Sequence, residues 1–334
     1  MRGVSASLIA QNCAPVAYGG GQLLSYSKAG GVWQPRVGNP PGGASLLNTT
    51  GNCGPADVTP DGRFVLLTQA VGWEETLSMS SPGQGSDNAI VLYDRQTGKL
   101  STLLAGATAT NRGVIWPRFT PDASMIVWSQ MIRTAREMPP SGQWSLRSAK
   151  VDLEAGALSG ERAWEDTEPA FYECYGVIPG TGLIVFASNT RATNTQAFHA
   201  QQLWTLPLSL TGAPTRISPS IMQAGGRAAD CFHEFAHFAP GEQVLHAAIG
   251  AGTDGGDDLY AYDMTGWTGG LLPQPTRVSF FGGEWKAGRF QQVVGYPPPT
   301  YTVISTMAWV DGAWLATVSP DLLSSTVSAW RIET

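Results

Sequence analysis

Two histidines and two glutamates are the residues of this chain whose types and spacing best suit chemistry. His233 and His237 lie four residues apart in His-Glu-Phe-Ala-His, with Glu234 between them, and Glu173 lies earlier in Phe-Tyr-Glu-Cys. Imidazole and carboxylate groups bind divalent metal ions and also act as general acids and bases. The pattern permits a metal site held by His233 and His237, an acid–base pair, or a structural hydrogen-bond network.

Arg118 and Asp57 are a second pair of candidates, because they occupy the same position of a repeated segment. Each lies three residues before a turn proline, and later copies carry Gly176 and His237 at that position. A position that varies between Asp, Arg, Gly and His is typical of a ligand site. An ion pair between Asp57 and Arg118 is the structural alternative, and the sequence does not decide between them.

An internal repeat of about 60 residues places these candidates in the fold. The turn prolines fall at positions 60, 121, 179 and 240, separated by 61, 58 and 61 residues. Each copy has an apolar strand on either side of the turn, and a third and fourth strand follow. Four short antiparallel strands in each repeat predict the blade of a β-propeller.

Two shorter copies at the ends of the chain, Val16–Tyr26 and Met307–Ile332, raise the number of blades to six. The last copy has three strands, and Val4–Ala10 precedes the first copy without a partner. We therefore expect the N-terminal strand to complete the sixth blade, which removes an open sheet edge. The sequence predicts an all-β, six-bladed β-propeller with four-stranded antiparallel blades, forming one domain over residues 1–334.

In such a ring, the segments that enter the inner strands converge on the mouth of the central channel. They carry the candidate ligand-binding and catalytic residues Asp57, Trp116, Arg118, Tyr172, Glu173, His233, Glu234 and His237. The loops between second and third strands emerge on the same face and are long, at 70–88, 131–142, 189–201 and 250–257. Long loops on a rigid scaffold commonly carry binding residues.

Composition supports the fold class and excludes some partners. The 334 residues include 40 glycines and 23 prolines, and 14% are charged, which favours short strands and tight turns over helices. The net charge is -6, so no nucleic-acid partner is expected. No apolar run reaches the ~18–20 residues that span a bilayer, so no transmembrane segment is expected either.

The four cysteines occur in two related pairs of contexts. Cys13 and Cys53 lie in Asn-Cys-Ala-Pro and Asn-Cys-Gly-Pro, and Cys174 and Cys231 precede corresponding strands further along. Disulfides joining Cys13 to Cys53 and Cys174 to Cys231 would fit an oxidising compartment. Buried free thiols and a metal–thiolate site are the alternatives.

Several segments resemble a known family. The turns Thr-Pro-Asp-Gly at 59–62 and Phe-Thr-Pro-Asp at 119–122, each followed by an apolar strand, resemble the Ser-Pro-Asp-Gly signature of TolB-like, WD-type propellers. Segments 116–122, 171–173 and 233–240 are similar to an exported subgroup with a His-rich segment before the penultimate blade's turn. The resemblance covers roughly residues 52–334 and implies the fold and a secreted or periplasmic location more than an activity.

Two functions follow as expectations, and the sequence leaves open whether the protein is an enzyme. The first is an exported propeller that binds a protein or glycan partner through the loop-rich face. The second is a polysaccharide lyase that resembles oligogalacturonate lyase in architecture and channel histidines. There a divalent cation, Ca or Mn, held by His233 and His237 would acidify a uronic-acid carbon, with Tyr172 or Arg118 assisting elimination.

A third ligand for that cation is not evident in the sequence. His246 falls within an apolar strand and is expected in the core, and His199 falls in a polar loop. The loop 252–258 resembles a calcium loop in composition but lacks its spacing, so a plain turn is expected there.

Overall fold

The chain folds as an all-β ring in a computed structural model, which describes residues 6–29, 32–38, 45–47, 49, 53–70, 85–86, 88–106, 108, 112–133, 142–165, 171–188, 201–222, 228–229, 232–238, 243–250, 257–281, 284–286, 289–291, 303–319 and 328–333. All regular elements in these residues are strands: β1 (Ala6–Gln11), β2 (Cys13–Gly19), β3 (Gln22–Ala29), β4 (Val32–Gly38), β5 (Ser45–Leu46), β6 (Cys53–Val58), β7 (Phe64–Ala70), β8 (Gly85–Ser86), β9 (Asn88–Asp94), β10 (Lys99–Leu104), β11 (Gly113–Phe119), β12 (Met125–Arg133), β13 (Gln143–Asp152), β14 (Ala157–Trp164), β15 (Tyr172–Ile178), β16 (Leu183–Ser188), β17 (Gln202–Pro207), β18 (Thr215–Arg216), β19 (Ile221–Met222), β20 (Ala228–Ala229), β21 (Phe232–Phe238), β22 (Val244–Gly250), β23 (Asp257–Asp263), β24 (Thr276–Arg277), β25 (Glu284–Lys286), β26 (Arg289–Gln291), β27 (Val303–Val310), β28 (Ala313–Ser319) and β29 (Ser328–Glu333).

These strands form six antiparallel blades, as the repeat predicts. The blades are β2–β5, then β6 with β7, β9 and β10, then β11–β14, β15–β18 and β21–β24, and finally β27–β29 with β1. The short strand β8 joins the inner edge of the third blade, and β19–β20 and β25–β26 form separate hairpins. The innermost strands β2, β6, β11, β15, β21 and β27 contact one another in succession and β27 contacts β2, which closes the ring.

The N-terminal strand completes the sixth blade, so the predicted closure is confirmed. β1 pairs antiparallel with β29, with Ala6 opposite Ile332 and Gln11 opposite Ser328. The two ends of the described chain therefore hold each other within one sheet. Without β1, the edge of β29 would present unpaired backbone groups to solvent.

In the second, third and fourth blades, a threonine stabilises the turn between the first two strands. Thr59 donates its hydroxyl to Asp61 Oδ1 at 2.6 Å, and Thr120 does the same to Asp122 Oδ1 at 2.6 Å. In the fourth blade, which lacks this Asp, Thr181 instead donates to the carbonyl of Ile178 at 2.9 Å. These local bonds offer the backbone a turn in place of a continued strand.

The turns of the first and second blades interlock through glycine. The N–H of Gly20 donates to the carbonyl of Pro60 at 2.8 Å, and Gly20 has φ +57. A Cβ at Gly20 would lie 2.6 Å from the carbonyl carbon of Asp61. The close approach of the two backbones therefore requires the absence of a side chain here.

The apolar core lies between successive blades. The third to sixth blades share one large cluster that includes Trp116, Phe186 and Trp314, and the first two blades share another around Tyr26 and Leu67. Each of these side chains is at most 1% exposed. Burying a large apolar side chain contributes about 1.5–3 kcal/mol, so packing between blades is a major source of the ring's stability.

Cys13, Cys53 and Cys174 are free thiols in the structure, which corrects the predicted Cys13–Cys53 disulfide. Both cysteines begin inner strands, but each pairs within its own blade, Cys13 opposite Ser27 and Cys53 opposite Gln69. Burial raises the pKa of Cys53 to about 11 and that of Cys174 to about 12. Cys231, the predicted partner of Cys174, lies outside the described residues.

In the described part of the chain, no helix is long and apolar enough to cross a membrane.

Candidate functional site

A β-bulge in the innermost strand of every blade shapes the centre of the ring. The register shifts fall at Pro15/Ala17, Gly54/Asp57, Ile115/Arg118, Cys174/Gly176, Glu234/His237 and Ile304/Thr306. At two of them a bulky residue takes positive φ, 51° at Trp116 and 49° at Phe235. Bulges redirect the side chains beside them and occur often near functional sites.

Proline marks three of these bulges. Pro15 borders the shift in β2, and Pro55 and Pro117 lie within the shifts in β6 and β11. Proline has no N–H for a ladder bond, so within a sheet it is confined to edges and bulges. Proline is therefore a sequence signal for these three bulges.

Arg118 reaches into the ring from the third blade. Its side chain donates through Nη1 to the carbonyl of Ala56 in the second blade at 2.7 Å. Its Nη2 lies 3.5 Å from Nε2 of His237 in the fifth blade. One contact comes from the neighbouring second blade and the other from the fifth blade, beyond the neighbouring fourth, so the guanidinium extends over the centre of the ring. Arg118 is only 4% exposed.

Gly176 and Trp116 surround the Arg118 side chain. A Cβ at Gly176 would lie 3.8 Å from Cβ of Arg118, and Gly176 has φ +124, a conformation that favours glycine. The guanidinium carbon lies 5.7 Å from the centre of the Trp116 ring, within the range of a cation–π interaction. Nε of Arg118 has no hydrogen-bond partner among the described residues.

Asp57 uses its carboxylate to join two blades. Oδ1 accepts from the N–H of Val58 at 2.9 Å, and Oδ2 accepts from the N–H of Phe119 at 3.0 Å. Burial raises the pKa of Asp57, while the positive charge of Arg118 and the two amide donors lower it. Asp57 is thus an electrostatic neighbour of Arg118, but its oxygens accept from the backbone.

His237 is neutral at pH 7 in this environment. Burial is the largest cause that lowers its pKa well below the usual value, followed by the charges of Arg118 and His246. His246 lies opposite His237 in the β21–β22 register. It is 3% exposed, as expected for the core, and burial lowers its pKa to about 4. Its ring centre lies 4.9 Å from that of Trp314.

Glu173 forms a second polar group beside the first. The hydroxyl of Tyr175 donates to its Oε2 at 2.6 Å, and Trp116 also hydrogen-bonds to the carboxylate. Burial raises the pKa of Glu173 to about 7, although these two hydrogen bonds lower it. Burial, followed by the charges of Glu173 and Glu234, raises the pKa of Tyr175, so Glu234 lies near this pair. Because Trp116 contacts both Glu173 and Arg118, the two groups adjoin.

Among the described contacts, His233 and His237 have different side-chain partners. Nε2 of His233 lies 2.7 Å from the hydroxyl of Tyr262, inside the fifth blade, and His233 is fully buried. Tyr172 is also fully buried, with its ring centre 5.5 Å from that of Trp164. Of the predicted site residues, Asp57, Trp116, Arg118, Glu173, Glu234 and His237 therefore adjoin. The described side-chain contact of His233 lies within the fifth blade, and the Tyr172–Trp164 contact packs the fourth blade against the third.

Within the described ranges, no three His, Cys, Asp or Glu side chains are grouped as a metal site would require. The predicted divalent cation at His233 and His237 stays a prediction. The long loops predicted on the channel face fall largely outside the described residues, as do His199 and most of the loop 252–258.

Sequence reasoning missed the role of Tyr175 and the reach of Arg118 across the ring. Tyr175 lies beside the β15 bulge, and its hydroxyl holds Glu173. The bulges determine the directions in which the side chains of Tyr175 and Arg118 point. A prediction that assumes strict alternation along a strand assigns every residue beyond a bulge to the wrong face of the sheet.

No family model and no curated relative matches this chain. Among solved structures, TolB from Acinetobacter baumannii matches at 12% identity and TM-score 0.51, over 97% of this chain and 63% of that one. A puromycin-hydrolyzing peptidase from Mycobacterium tuberculosis matches at 11% identity and TM-score 0.52, over 95% and 51%. Prolyl oligopeptidase B from Galerina marginata, bound to a 35mer hydrolysis and macrocyclization substrate, matches at 12% identity and TM-score 0.50, over 94% and 38%.

This chain thus spans less than two thirds of each of these proteins. At such identities the likeness concerns the fold alone. The chain has the six-bladed β-propeller fold that TolB also has.

Proposed function

We propose that this protein is an exported propeller that binds a protein or glycan partner at the loop-rich mouth of its central channel. The observation that carries the proposal is the buried guanidinium of Arg118, which has an unpartnered Nε. Burying a charge without full hydrogen bonding costs stability, and such costs are typically retained for recognition or catalysis. A binding role uses this group without requiring further chemistry.

Binding receives more support than the lyase alternative. The lyase needs a cation held jointly by His233 and His237, and these histidines have different partners, Tyr262 and Arg118. It also needs an accessible base, and Tyr172 is fully buried.

Export to the periplasm or the outside of the cell is part of the proposal. It rests on the resemblance of segments 116–122, 171–173 and 233–240 to the exported subgroup of TolB-like propellers. Fractionation of the native source would place the protein, and a cytoplasmic location would contradict this part.

The test is a binding screen on peptide and glycan arrays, followed by titration of the best ligand against two variants. His237→Gln changes the channel. Glu154→Gln is the matched control, because Glu154 is 70% exposed by side chain and lies at the β13–β14 turn, on the opposite face. We expect His237→Gln to bind at least about tenfold more weakly, because one charge-assisted hydrogen bond is lost. We expect Glu154→Gln to bind as the parent does.

Absence of any peptide or glycan ligand would contradict the proposal. So would a ligand whose affinity falls only in Glu154→Gln, because the binding face would then be the opposite one.

A further inference from the structure

The guanidinium of Arg118 can donate more hydrogen bonds than the described residues accept. A guanidinium has five N–H donors in a planar fork. Among the described residues, only the carbonyl of Ala56 lies at a strong hydrogen-bond distance from it, 2.7 Å, and Nε2 of His237 is at the limit of one, 3.5 Å. Asp57 carries the compensating charge, but its oxygens accept from the amides of Val58 and Phe119.

An unsatisfied edge of a buried guanidinium is costly, since most buried polar groups in proteins are paired. A planar oxyanion that accepts two parallel bonds would satisfy it, and carboxylate has the matching geometry. Neutral His237 stands beside Nη2 and can complete the site by a further hydrogen bond.

The depth of Arg118 limits which carboxylates can reach it. The guanidinium lies inside a closed ring of inner strands, with 4% of the residue exposed. The middle of a polymer cannot reach such a group, whereas the end of a slim, extended chain can. A peptide end is narrower than a pyranose ring, so a peptide terminus fits this position better than an acidic sugar.

We propose that Arg118, assisted by His237, binds the C-terminal carboxylate of a peptide that enters the central channel end-on from the loop-rich face. This inference rests on the proposed function and makes it more specific, because it names the group that is recognised. The geometry that carries it is the unpartnered Nε and the Nη2–His237 contact.

The test compares two pools of random hexapeptides that differ only at the C-terminus, one with a free carboxylate and one amidated. Charge-assisted bonds contribute about 1.5–3 kcal/mol, so we expect the free-acid pool to bind about 10- to 100-fold more tightly. Equal affinity of the two pools for the parent protein would overturn the inference without any variant.

Two variants of Arg118 sharpen the test. Arg118→Lys keeps the charge but lacks the planar fork, and Arg118→Met lacks both. We expect the preference for free acid to fall in Arg118→Lys and to vanish in Arg118→Met. A preference that persists in Arg118→Met would place the carboxylate elsewhere and overturn the inference.

Tetragalacturonate as a third ligand in the same assay distinguishes a failure of this inference from a failure of the proposed function. If tetragalacturonate binds and the free-acid peptides do not, the proposed recognition of a peptide C-terminus is refuted, while the proposal of a glycan-binding propeller stands. If neither pool nor tetragalacturonate binds, the inference fails, and the array screen then decides the proposed function independently.

Discussion

Replacing Gly20 by alanine tests the contact between the first two blades. Gly20 has φ +57, and a Cβ there would overlap the backbone of Asp61 and lie 2.9 Å from Cα of Gly62. Gly21 is a matched control. It has φ +71, but no described atom lies within 4 Å of the Cβ position. The two substitutions therefore share the left-handed backbone and differ in the collision.

The magnitudes follow from these geometries. A left-handed L-residue costs about 1–2 kcal/mol, and the stiffer unfolded chain returns about 0.4–1 kcal/mol, so Gly21→Ala should lower the free energy of unfolding by about 1 kcal/mol. Overpacking adds roughly 1–3 kcal/mol in Gly20→Ala. The expected total is about 2–4 kcal/mol, or a fall in Tm of about 4–8 °C at ~2 °C per kcal/mol.

Urea unfolding of the parent and both variants, followed by tryptophan fluorescence, would measure the difference. Equal midpoints for Gly20→Ala and Gly21→Ala would refute the turn-to-turn contact, because the collision is the feature that separates them.

Three further predictions concern ring closure, pH and the thiols. Deleting residues 1–11 should expose the edge of β29, lower Tm and cause aggregation, and an unchanged Tm would contradict closure by β1. The folded protein keeps a proton on Glu173 to about pH 7, whereas the unfolded chain loses it near 4.5, so the free energy of unfolding falls as pH rises through this interval. Urea midpoints measured between pH 5 and 8 should therefore fall less steeply in Glu173→Gln than in the parent. The same slope in both proteins would count against a buried carboxyl at Glu173. Cys53 and Cys174 should resist alkylation at pH 8 until the protein is unfolded, which mass spectrometry can follow; rapid labelling of the folded protein would show that these thiols are exposed.

The architecture was predictable because local sequence features mark each copy of the repeat. The turn threonines and prolines recur at a spacing of about 60 residues, and each is followed by an apolar strand. The closure of the ring was predictable as well, since one copy lacked a strand and the N-terminal segment lacked a partner. Both inferences need only the sequence order and the avoidance of open edges.

The candidate site was predictable only in part. Equivalent repeat positions do converge, and Arg118, Asp57 and His237 are neighbours as their shared position suggests. The joint site of His233 and His237 stays a prediction, and the Glu234/His237 register shift lies between the two histidines. A four-residue spacing in a bulged strand does not fix which way two side chains point.

The exposure of the channel residues was harder to predict than their position. Repeat positions indicate proximity to the channel, but whether a side chain fills the channel depends on its neighbours' sizes. Gly176 packs beside Arg118, the Trp116 ring lies within cation–π range of the guanidinium, and only 4% of Arg118 is exposed. The same packing leaves its Nε without a partner in the described structure.

The most direct test of the account is a ¹⁵N NMR titration that observes the Nε–H of Arg118, assigned by its loss in Arg118→Met. The account predicts one arginine Nε–H signal that shifts when free-acid hexapeptides are added and stays in place with the amidated pool. A signal that responds to neither pool, or to both equally, would contradict the role of Arg118 as the carboxylate-binding group of the channel.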